Sequence, residues 1–234
     1  MSLELAGGRK IVSDLSLEIA RGETLVLLGR SGSGKTTTLK LINRLLEPTA
    51  GRIEVEGKAT TQWDEFKLRR NIGYVIQETG LFPHFSVARN VELVPRLLSW
   101  SADRISRRVN ELLEMVGLDP SVFANRYPHE LSGGQRQRVG VARALASDPP
   151  IILMDEPFGA LDPLTRAELQ REFAELSGRL GKTIVFVTHD IREAFILATR
   201  IGLFKDGRLV ELCSPDKFLR SGDAEAKAFV ASLN

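Results

Sequence analysis

The sequence predicts an α/β fold in which buried strands alternate with helices and one helical segment interrupts the series. Continuous apolar runs at residues 24–28, 151–154 and 183–188 are typical of parallel strands covered on both faces. The pattern of residues 164–180 predicts a long helix between two of these strands. From about residue 85 to residue 147 every pattern is helical, which predicts an insertion in the α/β core.

The remaining elements follow from local patterns. Residues 15–19 alternate as in a half-exposed strand, and residues 52–56 and 72–76 predict two more strands. The first helix is expected to run to Leu46, with a core stripe formed by Leu39, Ile42, Leu45 and Leu46. The insertion contains a helix whose apolar face is formed by Ile105, Val109, Leu112, Leu113 and Val116 and which stops at Gly117. Residues 205–208 predict a hairpin turn, and the tail predicts two short helices.

The composition is that of an ordinary soluble protein and disfavours several classes. The 234 residues are 43% hydrophobic and 26% charged, and they can bury a full core. A net charge of +2 gives no whole-chain argument for nucleic-acid binding. Cys213, the single cysteine, fits a reducing cytoplasm, and no signal-peptide pattern opens the chain. No apolar run approaches the roughly 20 residues that span a bilayer, so work at a membrane requires another polypeptide to cross it.

A phosphate-binding loop follows the first buried strand. Residues 29–36 fit the pattern G-x-x-x-x-G-K-[ST], in which glycines let backbone amides approach phosphates at a helix N-terminus. The Lys35 ammonium suits the β- and γ-phosphates, and the Thr36 hydroxyl suits Mg²⁺. The strand–loop–helix context disfavours a chance glycine-rich turn. The predicted nucleotide-binding residues are Gly29, Ser31, Gly32, Ser33, Gly34, Lys35, Thr36 and Thr37.

Polar residues follow three predicted strands at the edge where open α/β sheets bind ligands. Asp155 is placed to hold Mg²⁺, and Glu156 is placed to polarise a water that attacks the γ-phosphate. His189 can hydrogen-bond the γ-phosphate and help to hold that water. Gln77 can meet Mg²⁺ or the water. The alternative for each is a solvated or capping side chain, which the neighbouring phosphate loop disfavours.

A second anion site lies about a hundred residues downstream of the first. Residues 131–135, Leu-Ser-Gly-Gly-Gln, precede a predicted helix at residues 136–146, and two glycines there leave backbone amides for an anion. One nucleotide does not obviously need two separate phosphate cradles in one chain. The second cradle is therefore a surplus that the function must explain.

Taken together, these motifs resemble the ATP-binding cassette (ABC) family of ATPases over nearly the whole chain. They occur in the family's order, namely Walker A at 29–36, the Q-loop at Gln77, the signature at 131–135, Walker B at 151–156, the D-loop at 159–162 and the switch histidine His189. The resemblance implies a P-loop NTPase (RecA-like) core with an antiparallel β subdomain at residues 1–84 and 148–234. It also implies a helical subdomain at residues 85–147.

The resemblance also accounts for the surplus phosphate site. Two cassettes of this family pair head to tail, and the signature of one closes on the ATP held by the Walker A of the other. The resemblance thus implies a homodimer in which Asp162 and the signature residues Ser132, Gly133, Gly134 and Gln135 complete the partner's site. It implies ATP and Mg²⁺ as cofactors, with catalytic roles for Gln77, Glu156 and His189 and metal contacts from Thr36, Gln77 and Asp155.

Finer similarity points to the ATPase subunits of osmoprotectant importers. The strings at residues 38–45, 73–77, 80–84 and 155–163 carry it, although cassettes for amino acids, polyamines or sulfonates share parts of them. This implies uptake of a quaternary amine such as glycine betaine, choline or carnitine. It also implies permease subunits docking between Thr79 and Val91, a separate solute-binding protein, and a cytoplasmic place on the inner face of the cell membrane.

The chain departs from the family pattern at two points. Many relatives carry a C-terminal regulatory extension, and we expect none here because the sequence ends at Asn234. No aromatic residue precedes Trp63, although the family stacks adenine on one at a position that falls near residues 6–8. We expect weaker ATP binding or poor discrimination against GTP, with Arg9 or Lys10 as a partial substitute. The alternatives are a non-transport ABC ATPase acting on DNA or ribosomes and a cassette that only binds nucleotide.

Overall fold

A computed structural model describes residues 1–5, 7–77, 80–159 and 161–233. The strands are β1 (Leu3–Glu4), β2 (Lys10–Val12), β3 (Thr24–Gly29), β4 (Glu54–Val55), β5 (Lys58–Ala59), β6 (Ile72–Val75), β7 (Ile151–Asp155), β8 (Thr183–Thr188), β9 (Arg200–Lys205) and β10 (Arg208–Cys213). The α-helices are α1 (Lys35–Ile42), α2 (Glu65–Arg70), α3 (Val87–Val91), α4 (Leu93–Leu97), α5 (Ala102–Met115), α6 (Pro120–Phe123), α7 (Gly133–Leu145), α8 (Pro163–Leu180), α9 (Ile191–Leu197), α10 (Pro215–Phe218) and α11 (Ala224–Ala231).

The chain divides into two compact units. The first unit comprises Met1–Arg69 and Gln170–Asn234, and the second comprises Arg70–Leu169. The boundary at residues 169 and 170 falls within α8. No helix among the described residues is long and apolar enough to cross a membrane.

A mostly parallel sheet forms the core of the first unit. Its strands lie in the order β10, β9, β3 and β8, and β3 runs parallel to both β8 and β9. The four apolar residues at positions 25–28 of β3 are fully buried. Burying each of these side chains contributes about 1.5–3 kcal/mol, so the strand that leads into the phosphate loop is firmly held. β9 and β10 form an antiparallel hairpin at the sheet edge.

Two short antiparallel hairpins complete the strands of the first unit. β1 pairs with β2, and β4 pairs with β5. Gly57 turns the chain between β4 and β5 with a φ of 75°, a conformation that glycine adopts at little cost. These hairpins agree with the antiparallel β part of the predicted fold.

The second unit combines the parallel pair β6 and β7 with helices α3 to α7. The predicted apolar face of α5 is confirmed, since all five of its residues are buried, and Gly117 ends the segment with a φ of 72°. A Cβ added at Gly73 of β6 would lie 2.4 Å from the carbonyl oxygen of Ala144 in α7. Glycine at this position therefore allows the helix to approach the strand closely.

Most of the predicted elements are confirmed, and two details are wrong. The buried strands, the helix at 164–180, the hairpin turn at 205–208 and the two tail helices are present. Residues 15–19 do not form a strand, although their exposure alternates, because no neighbouring strand pairs with them in the described chain. The first helix stops at Ile42 because Arg44 takes a left-handed conformation with a φ of 50°, which leaves Leu45 and Leu46 exposed instead of in the core.

Candidate nucleotide site and family

The phosphate loop leads from β3 into α1, as its motif predicts. Lys35 begins the helix, and its side chain is buried at 4% exposure. Its Nζ donates hydrogen bonds to the carbonyl oxygens of Gly29 at 2.7 Å and Arg30 at 2.9 Å. Gly34 is the N-cap with a φ of 102°, and a glycine has no side chain with which to cap the first amides of the helix. A curled loop at a helix N-terminus with an ammonium inside it fits a polyphosphate.

Glycine is required at both ends of this loop because other backbone lies against it. A Cβ added at Gly29 would lie 2.4 Å from the carbonyl oxygen of Phe204 in β9. A Cβ added at Gly34 would lie 2.7 Å from the carbonyl oxygen of Ile11 in β2. The β1–β2 hairpin, on which the adenine-stacking residue was expected, therefore touches the phosphate loop. Ala6, part of the expected position, lies outside the described residues, while Arg9 and Lys10 are exposed.

The turn between β9 and β10 supports the same loop, a role that its hairpin pattern alone does not indicate. The N–H of Gly207 donates to the carbonyl oxygen of Ser33 at 3.1 Å. The carbonyl oxygen of Gly207 accepts the N–H of Ser13 at 2.8 Å. Gly207 thus bridges the phosphate loop and the segment after β2. The sequence indicates that Gly207 lies in an Asp-Gly turn, but it does not indicate which residues Gly207 contacts.

The switch histidine stands at the same sheet edge as the phosphate loop. In the parallel pair of β3 and β8, Leu28 is opposite Thr188. β3 therefore ends at Gly29 at the same edge of the sheet where β8 ends, directly before His189. His189 is exposed, as a group that meets a ligand must be. Asp190 caps α9, since its side chain accepts the N–H of Arg192 at 2.8 Å. The register therefore supports the predicted place of His189 within the first unit.

In the second unit, Asp155 ends β7 as a buried carboxylate at 5% exposure. Burial raises the pKa of Tyr74 on the adjacent β6, and the charge of Asp155 and a hydrogen bond with it raise that pKa further, well above its usual range. The Tyr74 phenol is therefore neutral and donates to the Asp155 carboxylate. In the sequence, Tyr74 stands out only within the string at residues 73–77, because a tyrosine on a strand is an ordinary core residue.

Gln77 and Glu156 lie at the same end of the β6–β7 pair. Val75 is opposite Met154, so both strands end at the same level, and the exposed Gln77 follows β6 while the half-buried Glu156 follows β7. Glu156 has a φ of 43°, a left-handed conformation that is uncommon for residues other than glycine. Residues in such conformations cluster at functional sites. Its carbonyl oxygen accepts the N–H of Gly159 at 3.1 Å, which closes a turn after the strand.

The signature residues form the N-terminus of α7. Ser132 is the N-cap, and its Oγ accepts the N–H of Gln135 at 3.2 Å while its own N–H donates to Gln135 Oε1 at 2.9 Å. This reciprocal capping box lengthens the helix to begin at Gly133. A Cβ added at Gly134 would lie 2.7 Å from Cγ2 of Thr165 in α8, so the second signature glycine has a packing role as well.

The D-loop residue Asp162 caps α8 within the same unit. Its carboxylate accepts the N–H of Thr165 at 3.1 Å, and hydrogen bonds from Thr165 lower the pKa of Asp162. Ala160 of the D-loop lies outside the described residues. The N-termini of α7 and α8 lie next to each other, because Gly134 and Thr165 are in close contact.

The segment after the Q-loop carries an aromatic cluster formed by Phe82, His84 and Phe85. The ring centroids of His84 and Phe85 are 4.6 Å apart, and Phe82 and Phe85 are 5.4 Å apart. Asn90 is fully buried beneath it, accepting the N–H of Phe82 at 2.8 Å and donating to the carbonyl oxygens of three residues in this loop. Thr79, the first residue of the predicted docking segment, lies outside the described residues.

Comparison with known proteins identifies the family. Residues 12–159 match the model of the ABC transporter family. The chain belongs to the ABC transporter family. It is similar to the glycine betaine uptake system ATP-binding protein YehX of Escherichia coli, with 53% identity over 91% of this chain and 68% of the relative. The family that the motifs suggested is thus confirmed.

Two further relatives are transport or import ATP-binding proteins by name. The glycine betaine/carnitine/choline transport ATP-binding protein OpuCA of Bacillus subtilis is 55% identical over 92% of this chain and 56% of the relative. The osmoprotectant import ATP-binding protein OsmV of Salmonella typhimurium is 51% identical over 96% of this chain and 58% of the relative. The chain spans little more than half the length of these two relatives.

Solved structures confirm the predicted fold class. The ATP-binding cassette MJ0796, in a dimeric post-hydrolysis state bound to ADP and Pi, has a TM-score of 0.79 and 37% identity over 91% of this chain and 94% of that chain. CbiO1 from Clostridium perfringens, part of the ABC transporter complex cbiONQ, has a TM-score of 0.85 and 29% identity over 94% of this chain and 88% of that chain. This ABC protein has the P-loop NTPase fold with a helical insertion.

Proposed function

We propose that this ABC protein is the ATP-hydrolysing subunit of an importer for an osmoprotectant quaternary amine. The observation that carries the ATPase role is the loop around Lys35, which lies at the sheet edge where β8 ends before His189. The 51% to 55% identity to ATP-binding proteins of osmoprotectant transport supports the choice of solute. An importer subunit for an amino acid, a polyamine or a sulfonate is the second candidate, because a cassette does not touch the cargo. ATP hydrolysis by the purified chain is the first test.

The phosphate loop residues at positions 29–37 bind the phosphates of ATP in this proposal. The N-terminus of α1 after Gly34 and the buried ammonium of Lys35 balance the negative charge of these phosphates. Thr36, Gln77 and Asp155 supply hydroxyl, amide and carboxylate oxygens, the ligand types that Mg²⁺ prefers, and Asp155 is the buried one. Bound Mg²⁺ supplies positive charge to the β- and γ-phosphate oxygens.

Glu156 and His189 carry out the chemistry in this proposal. Glu156 takes a proton from the attacking water, and Gln77 helps to orient that water. His189 donates a hydrogen bond to the γ-phosphate as charge develops on it. A Glu156→Gln variant should bind ATP and lose hydrolysis. Equal hydrolysis by this variant and the wild type would contradict the role of Glu156.

A second copy of the chain completes each site, as the dimeric cassette MJ0796 suggests by analogy. Ser132, Gly133, Gly134 and Gln135 close on the partner's γ-phosphate, and Asp162 lies beside them. ATP then favours the closed dimer because only that state makes both sets of contacts. Light scattering of Glu156→Gln should report a dimer with ATP and a monomer without it. A monomer under both conditions would contradict the proposal.

Permease subunits are the proposed partners at the membrane, and a separate solute-binding protein delivers the cargo. The docking surface between Thr79 and Val91 contains the aromatic cluster, in which Phe82 is 44% exposed. Such an exposed ring on a loop anchored by Asn90 suits a hydrophobic contact. The chain would then act on the cytoplasmic face of the cell membrane. Genes for a permease and a solute-binding protein beside this gene, and ATP-dependent uptake of glycine betaine by the assembled complex, test this.

Nucleotide selectivity provides a separate test. Base stacking on an aromatic ring is worth about 1–3 kcal/mol in nucleic-acid complexes, and the hairpin against the phosphate loop has no aromatic residue. We propose that Arg9 or Lys10 lies over the base and that ATP and GTP bind with similar, modest affinity. A strong preference for ATP in calorimetry would refute this. No role in nucleic-acid binding is proposed, because the net charge is only +2.

A further inference from the structure

A buried polar cluster lies directly behind the switch histidine. The carboxylate of Glu193 on α9 is 4% exposed, and each of its oxygens accepts a hydrogen bond. Thr188 Oγ1 donates to Glu193 Oε2 at 2.5 Å, and Gln170 Nε2 donates to Glu193 Oε1 at 2.9 Å. Thr188 and Gln170 are themselves 2% and 6% exposed. A buried carboxylate is costly unless such donors satisfy it, so these three side chains act as one unit.

The cluster also reaches the backbone next to His189. Thr188 Oγ1 accepts the N–H of Asp190 at 2.9 Å. A threonine hydroxyl has one proton and two lone pairs, and a carboxylate only accepts. The Thr188 proton must therefore point at Glu193, which leaves a lone pair of the hydroxyl facing the Asp190 amide. Glu193 thus sets the orientation of the hydroxyl that holds the peptide after His189.

We propose that Thr188 and Glu193 are positioning residues for His189. They hold the backbone on both sides of the exposed imidazole, so that the ring is presented at the edge of the phosphate loop before nucleotide arrives. Neither side chain reaches solvent, so neither touches ATP. The inference rests on the proposed function for its consequence in hydrolysis, while the positioning itself is a property of the free protein.

Amide hydrogen exchange measured by NMR in the nucleotide-free protein tests the positioning directly. Thr188→Val removes the hydroxyl with little change of shape, and exchange at the Asp190 amide should rise about tenfold, as for the loss of one hydrogen bond. Thr188→Ser, which keeps the hydroxyl, should stay within about twofold of the wild type. Unchanged exchange at Asp190 in Thr188→Val overturns the proposal.

A matched control exists at the other end of β3. The Thr199 hydroxyl accepts the N–H of Thr24 at 3.1 Å and donates to its carbonyl oxygen at 2.9 Å. Thr199→Val therefore loses comparable bonds far from His189 and should leave exchange at Asp190 unchanged. If Thr188→Val does not fold, Thr188→Ala serves instead, because it removes the same hydroxyl, and exchange at the Asp190 amide should rise in it as well.

A double-mutant cycle in ATP hydrolysis distinguishes positioning from general destabilisation. Thr188→Val should lower kcat about tenfold with ATP affinity unchanged, and it should lower kcat no further in a His189→Ala background. Losses that multiply in the double variant overturn the proposal. A wild-type protein without ATPase activity would refute the proposed function, and hydrogen exchange would still decide the positioning of His189.

Discussion

Gly207 lies so close to the Ile11 carbonyl oxygen that an added Cβ would be 2.6 Å from it. Gly207 also donates its N–H to Ser33 of the phosphate loop. Residues from β2, the phosphate loop and the β9–β10 turn therefore meet at one backbone junction. The shape of the phosphate loop thus depends on a hairpin turn that contains none of the family's motifs.

The first prediction compares two glycines in hairpin turns. Gly207 and Gly57 have φ values of 77° and 75°, and no described atom lies within 4 Å of a Cβ added at Gly57. The left-handed backbone alone should make alanine cost about 1–2 kcal/mol in the free energy of unfolding at either position, and alanine at Gly207 should cost more because its Cβ meets the Ile11 carbonyl oxygen. Only Gly207→Ala should also weaken ATP binding, by about tenfold, because the junction must shift. Equal ATP affinity of the two variants in calorimetry would contradict this.

The second prediction separates the capping role of Ser132 from its signature role. Ser132 caps α7, and Ser101 caps α5 by accepting the N–H of Arg104. Alanine at either position should cost about 1 kcal/mol of stability. Only Ser132→Ala should abolish ATP hydrolysis, while binding of ATP by the monomer through Lys35 stays within about twofold. Loss of that binding would mean that the signature has been assigned the wrong role.

The third prediction concerns the hydrogen bond between Tyr74 and Asp155. Tyr74→Phe removes a donor from a buried carboxylate, which should cost about 1–3 kcal/mol of stability and raise the Mg²⁺ concentration needed for tight ATP binding. Calorimetry at a series of Mg²⁺ concentrations measures this shift. Tyr127→Phe, at an exposed tyrosine, is the control and should change neither quantity.

The same pair predicts a dependence of stability on alkaline pH. The folded-state pKa of Tyr74 is raised above its ordinary value of 10. The stability that this shift contributes is therefore fully present below about pH 10 and is lost as the pH rises through the folded-state value. Denaturant unfolding of the wild type should weaken more steeply above pH 10 than that of Tyr74→Phe. Parallel curves would contradict the assignment.

The fourth prediction concerns the single cysteine. Burial and the neighbouring Glu211 carboxylate, whose Oε1 lies 3.6 Å from Sγ, raise the pKa of Cys213 to about 11. Because the thiolate is the nucleophile, alkylation by iodoacetamide at pH 8 should be slow and should rise only towards pH 11. Glu211→Gln should accelerate it, whereas Asp206→Asn in the nearby turn should not. Equal rates in both variants would exclude the charge of Glu211 as a cause.

Local chemistry explains which parts could be predicted. Three features depend only on residues that are neighbours in sequence, so the residue types predict them. These are the phosphate loop, the capping box around Ser132 and the strand that ends at Asp155. The predicted C-terminus of α1 was wrong. Leu45 and Leu46 continue the helical pattern of the sequence, but the left-handed conformation of Arg44 ends the helix before them. The strand expected at residues 15–19 failed because a strand requires a paired neighbour, which alternation alone does not supply.

The sequence by itself determined the α/β class, the family motifs and the loop that we propose binds phosphate, because a strand, a glycine-rich loop and a helix N-terminus are contiguous in the chain. Only the tertiary structure decided what holds those residues. Gly207 reaches Ile11 and Ser33, and Glu193 joins Gln170 to Thr188, across chain separations that no local pattern records. Such partners are selected by packing distance and by the need to satisfy buried polar groups, which exist only once the chain has folded.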